Sequence, residues 1–249
     1  AYDYDLYEKA FAHCDVLIIG AGPSGLVAAL TAARAGLDVI LTDENDRLGG
    51  RLLSEVEEVA GVAGHMWVDD AVAELVGFAN VRIMTNTTVT GAYDQGTYGA
   101  LERVGHHLDI VPEGLPLESF WRITVKRAIL CSGALERQIA FPDNDRPGIM
   151  TSSGMRSYLN CYGVSPGQKI AVFGNNSDSH RTARDFAEAG VEVVAMIDSR
   201  EGISTQADYP IYAGAEVVAT SGRLGLTSIS ICQNGGLKTI ECDALGVSG

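Results

Sequence analysis

The sequence predicts an α/β fold in which two strand–helix–strand units flank a run of antiparallel strands. Three observations predict it. Residues 15–19 (DVLII) are a short β-branched apolar run that ends in glycines, the pattern of a buried parallel strand. Residues 23–35 follow with dense Ala and Leu, a good helix composition. The same succession returns at residues 169–173 (KIAVF), 178–189 and 191–197 (VEVVAMI).

The elements follow in order. Residues 1–14 are polar and Tyr-rich and read as an approach segment. Gly36 stands where a left-handed cap ends the first helix, and residues 37–42 (LDVILT) close the first strand–helix–strand unit. Residues 69–78 read as a short helix. From residue 81 to about 130, the segments VRIMTNTTVTGAY, YGALERV and FWRITVKRAIL alternate like strands broken by Gly and Pro. They predict an antiparallel meander inserted into the parallel sheet. Residues 151–160 read as a connecting helix, and the tail LTSISICQNGGLKTIECDAL returns to strand alternation, with Asn234-Gly235 as its turn. Residues 13–165 are thus expected as a first domain, with 240–249 a candidate return to it, and 166–239 as a second. The chain starts with Ala and stops just after the strand-like CDALGV, so a truncation is expected. Such a fragment is expected to expose apolar surface and to self-associate.

Composition bounds the function. The 249 residues suit one to two domains at about 150 residues each. Hydrophobic residues make up 46% and charged residues 20%, an ordinary globular balance. Lys and Arg number 18 against 32 Asp and Glu, a net charge of −14, which argues against nucleic-acid partners. The longest apolar stretch, residues 25–33, is too short to span a bilayer, and the acidic start AYDYDLYEKA is no signal peptide. Neither nucleic acid nor membrane is expected as a partner. Five cysteines without a CxxC pair read as reduced thiols and predict a cytoplasmic setting.

The motif with most chemistry is Gly20-Ala21-Gly22-Pro23-Ser24-Gly25, a full GxGxxG between a strand and a helix. Gly20 permits the tight turn, Gly22 lets a pyrophosphate approach the backbone, and Gly25 lets the helix pack on the sheet. The phosphates would sit on the helix N-terminus. Asp43 ends the next strand 23 residues after Gly20, where a carboxylate takes ribose hydroxyls, and Glu44 is the alternative ribose partner. An acidic residue there disfavours a 2′-phosphate, so NAD or FAD is favoured over NADP. In Leu48-Gly49-Gly50-Arg51, the glycine pair lets backbone approach a cofactor and Arg51 is placed to pair with a phosphate or a carboxylate; a plain surface turn is the alternative. The strand end ILCSGA at residues 129–134 either passes beneath a dinucleotide or is a domain crossover.

The second unit departs from the pattern. Gly174-Asn175-Asn176-Ser177-Asp178-Ser179 carries Asn176 and Ser179 at the second and third glycine positions. Both side chains are expected to crowd a pyrophosphate and Asp178 to repel it, so this site is expected to be vacant. Asp198 ends the next strand and reads either as a ribose partner or as a solvated loop residue. His13, His65, His106, His107 and His180 show no metal-ligand spacing with a carboxylate or thiolate, so no metal site is expected and a surface role is the default. Spacing supports neither a Ser-His-Asp arrangement nor disulfide exchange.

Three stretches together resemble the α subunit of heterotetrameric sarcosine oxidase: YDYDLYEKAFAHCDVLIIGAGPSGL, TDENDRLGGRLLSE, and CSGALERQIAFPDNDRPGIMTSSGMRSYLNCYGVSPGQKIAVFGNNSDSH. The glycine loop is shared by many flavoproteins with two dinucleotide-binding domains; the YEKAFAHCDVL lead-in and the degenerate GNNSDS loop are more specific. The resemblance implies a Rossmann-like, FAD/NAD(P)-binding fold with two such domains, the second degenerate. It implies oxidative demethylation of sarcosine to glycine by the full enzyme, with H2O2 as product and methylenetetrahydrofolate when folate is present. It also implies NAD in the first domain, with FAD as the alternative. FAD, FMN and tetrahydrofolate are expected elsewhere in a complex with beta, gamma and delta subunits. The implied NAD contacts are Gly20, Gly22, Pro23, Ser24 and Gly25 at the pyrophosphate, Asp43 and Glu44 at the ribose, and Gly50 and Arg51 nearby. No catalytic residue is implied in this stretch.

The competing readings are a self-standing FAD-dependent pyridine-nucleotide oxidoreductase, a subunit of a related complex (an opine oxidase, a cyanide synthase or a dye-linked proline dehydrogenase), and an interaction scaffold with an empty fold. The missing glycines at 176 and 179 argue against the first, and the intact first loop against the last.

Overall fold

The structure is a computed structural model that describes residues 6–203 and 206–249. Residues 1–5 of the expected approach segment lie outside the described residues. The chain divides into two compact units.

The first unit comprises the chain to Leu53 together with Glu57–Gly133. It holds β1 (Tyr7–Ile19), α1 (Pro23–Arg34), β2 (Val39–Thr42), a 3-10 turn (Gly50–Leu53), β3 (Glu58–Val59), β4 (Val62–Ala63) and α2 (Gly64–Val76), followed by β5 (Val81–Met84), β6 (Thr87–Tyr93), β7 (Thr97–Arg103) and β8 (Glu118–Leu130). The main sheet runs β5-β2-β1-β8-β7-β6. Its first four strands are parallel, and β8-β7-β6 form an antiparallel meander; Val81–Met84, expected within that meander, is instead the parallel edge strand β5. Val16, Ile18, Val39 and Leu41 pack beneath α1 and α2. Leu17, Ile40 and Met84 pack on the other face with Ala100, Ile123 and Val125. Burial on both faces is why these strands read as unbroken apolar runs. Pro23 sits in the first turn of α1, where its missing N–H costs no helix bond.

One expectation changes here. The approach segment is strand from Tyr7 onward, and β1 is 13 residues long. Its first half pairs with β8 in register from Tyr7↔Glu118. Those residues are mostly exposed, so no apolar alternation marks them.

The second unit comprises Ser54–Val56 and Ala134–Gly249. It holds β9 (Ile149–Thr151), α3 (Ser152–Tyr162), β10 (Lys169–Gly174), α4 (Ser177–Glu188), β11 (Glu192–Asp198) and β12 (Ile211–Ala213), then β13 (Ala215–Ser221), β14 (Ser228–Gln233), β15 (Gly236–Glu241) and β16 (Ala244–Ser248). A parallel sheet runs β12-β11-β10-β16-β9, and β13-β14-β15 form a separate antiparallel sheet. Asn234 (φ 51°) and Gly235 (φ 76°) turn β14 into β15, both left-handed as a two-residue hairpin turn requires.

The compact units differ from the expected ranges. The chain leaves the first unit at Gly133, not at 165. Residues 244–248 do not return to the first unit, because β16 is inserted between β10 and β9 and buries all five of its residues. An apolar five-residue strand carries no mark of which sheet takes it.

Candidate dinucleotide site

The candidate site grows out of the turn between β1 and α1. Gly20 has φ 98°, a left-handed conformation that side chains resist, and a Cβ there would lie 2.4 Å from the Cys131 carbonyl oxygen. A Cβ on Gly25 would lie 1.9 Å from the Gly20 carbonyl oxygen. These two glycines are therefore demanded by the protein's own packing. Gly22 is different: a Cβ there meets nothing within 4 Å. The protein needs no glycine at that position, whereas a ligand approaching the backbone does.

Gly22 is also the N-cap of α1 and offers no capping side chain, and no acidic residue lies in the first turn. The helix's first N–H groups are thus left for an anion. The Gly49-Gly50 loop comes alongside. The Gly49 amide donates to the Ala21 carbonyl at 2.9 Å, and a Cβ on Gly50 would lie 3.0 Å from the Gly22 Cα. Pro23, Ser24, Gly50 and Arg51 are exposed beside the half-buried Gly22.

Asp43, at the end of β2, is buried. Its Oδ2 accepts from the Ala21 amide at 2.7 Å, and its Oδ1 accepts from the Asn45 backbone and side-chain amides at 2.9 and 3.1 Å. A carboxylate offers about four acceptor positions, so three are used and one on Oδ2 is unused. Glu44 is exposed. Its carbonyl accepts a hydrogen bond from the Arg103 guanidinium, and the Thr87 and Asn86 amides donate to the carbonyls of Asp43 and Asn45 at 2.7 and 3.0 Å. The meander thus holds the Asp43–Asn45 turn. Arg103 and Asn45 were not legible as site residues, since Arg103 lies 59 residues from Glu44.

The strand end at 129–134 does two things. The Cys131 amide donates to the Ile19 carbonyl at 2.7 Å, which sets its backbone against Gly20, and two residues later the chain leaves the unit. A mostly apolar cavity of about 370 Å³ lies between β6 and the ends of β1 and β8, lined by Ile19, Val89, Tyr98, Ala128 and Leu130 among others. None of the expected contact residues lines it.

In the second unit, the structure corrects four expectations. Ser179 does not crowd a ligand: it is fully buried, its hydroxyl donates to the Asn176 carbonyl at 2.7 Å, and it fits because Gly174 has no Cβ. Asp178 is not a bare negative charge, since Arg156 pairs with it at 2.7 Å. Asp198 is not a solvated loop residue but fully buried, with His180 and Arg200 on its carboxylate at 2.7 and 2.8 Å. His180 therefore has an inward partner instead of a surface role. Burial works to raise the Asp198 pKa, and the hydrogen bonds from Arg200 and His180 overcome it, holding the carboxyl below its ordinary range. Among the described residues, no group of three or more His, Cys, Asp or Glu is placed to hold a metal.

Comparison with known proteins agrees with this geometry. The family model described as FAD dependent oxidoreductase matches residues 15–77, from β1 through α2. The sarcosine oxidase subunit alpha of Rhizobium meliloti (strain 1021) is 43% identical over 249 residues, 99% of this chain and 25% of that protein. The chain resembles sarcosine oxidase subunit alpha along its length. The subunit alpha of Corynebacterium sp. (strain P-1) is 41% identical over 86% of this chain and 22% of its own. The chain therefore spans about a quarter of the sarcosine oxidase alpha subunits it matches. The crystal structure of L-proline dehydrogenase from P. horikoshii superposes on all of this chain and 44% of its own, with a TM-score of 0.74 at 23% identity. The fold is that of the FAD/NAD(P)-binding flavoproteins, and over residues 15–77 the chain is similar to the FAD dependent oxidoreductase family. No described helix is long and apolar enough to cross a membrane.

Proposed function

We propose that this chain is the dinucleotide-holding portion of a sarcosine oxidase alpha subunit. The observation that carries the reading is the uncapped start of α1 beside Gly22, where a Cβ would meet only open space. A pyrophosphate would sit on that helix start, with Gly20, Gly22, Pro23, Ser24 and Gly25 around it and Gly50 and Arg51 alongside. Asp43 would take a ribose hydroxyl on its remaining acceptor position, and Glu44 lies next to it. Two adjacent carboxylates repel a 2′-phosphate, which favours NAD or FAD over NADP.

We take the bound group to be NAD. The alternative is FAD, favoured by the family model that matches residues 15–77. The chain's own residues hold the group, and none of them is assigned to the reaction. The chemistry belongs to the whole complex with its beta, gamma and delta subunits: sarcosine, oxygen and water give glycine, formaldehyde and H2O2, and folate captures the one-carbon unit as methylenetetrahydrofolate. FAD, FMN and tetrahydrofolate would bind outside this stretch. Five thiols that form no disulfide favour a cytoplasmic setting.

The test is to denature the purified longer protein and weigh what is released. Because other subunits would carry flavin, the alpha subunit is separated first. A ligand with the mass of NAD and no visible absorbance is the expected result. FAD from the isolated alpha subunit selects the alternative, and an alpha subunit that holds no dinucleotide overturns both.

A further inference from the structure

The second unit has the architecture of a nucleotide-binding domain. Its strands β9, β16, β10, β11 and β12 are parallel, so their C-terminal ends share one edge, where open α/β sheets bind ligands. That edge repeats the two anchor points of the first unit: a helix start after β10 and an aspartate ending β11. In the second unit the protein's own side chains have taken both.

At the start of α4, the Asn176 side-chain oxygen accepts from the Asp178 and Ser179 amides at 3.0 and 3.1 Å. Its side-chain nitrogen donates to the Ser248 hydroxyl at 2.9 Å, tying the cap to the end of β16. The first-turn N–H groups that a phosphate oxygen would use are therefore already bonded. In α1 the corresponding cap is Gly22, with no side chain at all.

The aspartates differ in the same way. Asp198 Oδ1 accepts from the Arg200 backbone amide and Nε at 2.9 and 3.0 Å, and Oδ2 accepts from Arg200 Nη2 and His180 Nε2 at 2.8 and 2.7 Å. Four donors fill the four acceptor positions of a carboxylate. Because an ionised carboxylate only accepts, Nε2 of His180 carries the proton. Asp43, with three donors, retains one position; Asp198 retains none.

We infer that the second unit is closed to dinucleotides by its own side chains, Asn176 standing in for pyrophosphate oxygens and Arg200 with His180 for ribose hydroxyls. The degenerate loop is not an eroded site but a filled one: the Asp178 and Ser179 amides and both Asp198 oxygens have internal partners, while His180 Nδ1 is buried without one. A diffusible nicotinamide nucleotide finds neither a free helix start nor a free ribose-binding carboxylate at this edge.

Hydrogen exchange on the longer protein tests this at single amides. Excess NADH or NADPH is expected to leave exchange at Asp178 and Ser179 unchanged. Asn176→Ala is expected to speed exchange at those two amides about five-fold, the equivalent of the roughly 1 kcal/mol that a lost cap costs. Asn176→Ser, which keeps a capping oxygen, should stay near the wild-type rate and shows that any Ala effect is the lost cap, not a loosened fold. Slower exchange at Asp178 and Ser179 on adding either nucleotide would overturn the inference. So would unchanged exchange in Asn176→Ala. The readout is confined to the start of α4, so it is independent of which dinucleotide the first unit holds.

Discussion

The Asp43 carboxylate accepts the Ala21 amide at 2.7 Å, so the residue that ends β2 also clamps the loop that begins α1. The proposed ribose contact and the loop geometry therefore depend on one side chain. Asp43→Ala leaves the buried Ala21 amide without a partner, at a cost of roughly 1–3 kcal/mol, and is expected to lose the dinucleotide as well. Glu44→Gln, on an exposed side chain, should change stability by no more than about 0.5 kcal/mol while weakening the ligand. Urea unfolding with parallel measurement of bound ligand checks both; equal destabilisation by the two variants would sink the assignment.

The glycines of the loop should separate into two kinds. Gly25→Ala drives a Cβ into the Gly20 carbonyl and is expected to destabilise the first unit by about 3 kcal/mol. Gly22→Ala has open space and an extended backbone (φ −69°, ψ −176°), so it should fold normally and release the dinucleotide. A folded Gly22→Ala that keeps full ligand occupancy would contradict the proposed site.

Asp185 sets the sign of one pH effect. It is buried on α4, with its Oδ1 unpartnered and Oδ2 accepting from the Asn160 side chain at 3.1 Å. Burial pushes its pKa up, opposed by Asn160 and the nearby Arg156 and Arg184. A raised folded value favours the protonated form, so its stabilising contribution is full below the unfolded aspartate value near pH 4 and is lost as pH rises through the folded value. Asp185→Asn should therefore be more stable than wild type at neutral pH, by about 1 kcal/mol, with the gap closing in acid. Thermal melts at several pH values read this directly; a less stable variant at neutral pH would refute it.

Thiol labelling should be graded by burial. Burial pushes Cys14 up to about 11 and Cys242 up to about 12, so neither forms thiolate at neutral pH. Cys161 is exposed. Iodoacetamide on the folded protein is expected to label Cys161 first and to spare Cys14 and Cys242 until unfolding. Early modification at either buried residue, seen by peptide mass, would contradict the packing.

Much of this was legible in the chain itself, and the reasons differ by element. Gly20, Gly22 and Gly25 were legible because a local backbone requirement selects the residue type. The Asn234-Gly235 turn was legible for the same reason. The first half of β1 was hidden because its pairing partner is 111 residues away and both of its faces are largely exposed. The anchoring of Glu44 by Arg103 and the filling of Asp198 by Arg200 and His180 are side-chain meetings that the fold creates. At Asn176 the sequence showed that a glycine was lost but not that the replacement bonds the amides left behind. The compact-unit boundary at Gly133 was hidden because β8 continues the first sheet nearly to that point with no change in composition.

The pairing of β1 with β8 also has a consequence in time. Tyr7 meets Glu118 and Ile19 meets Leu130, so β1 completes its pairing only after β8 has been made. At synthesis rates of about 5–20 residues per second, a gap of 111 residues is a wait of roughly 6–22 seconds. Throughout it, the glycine loop lacks the Cys131 backbone that seats it. Loop closure over that distance is slow, and the apolar run from Val16 to Ile19 stays open to chaperones, or to another nascent copy, until residue 130 has emerged.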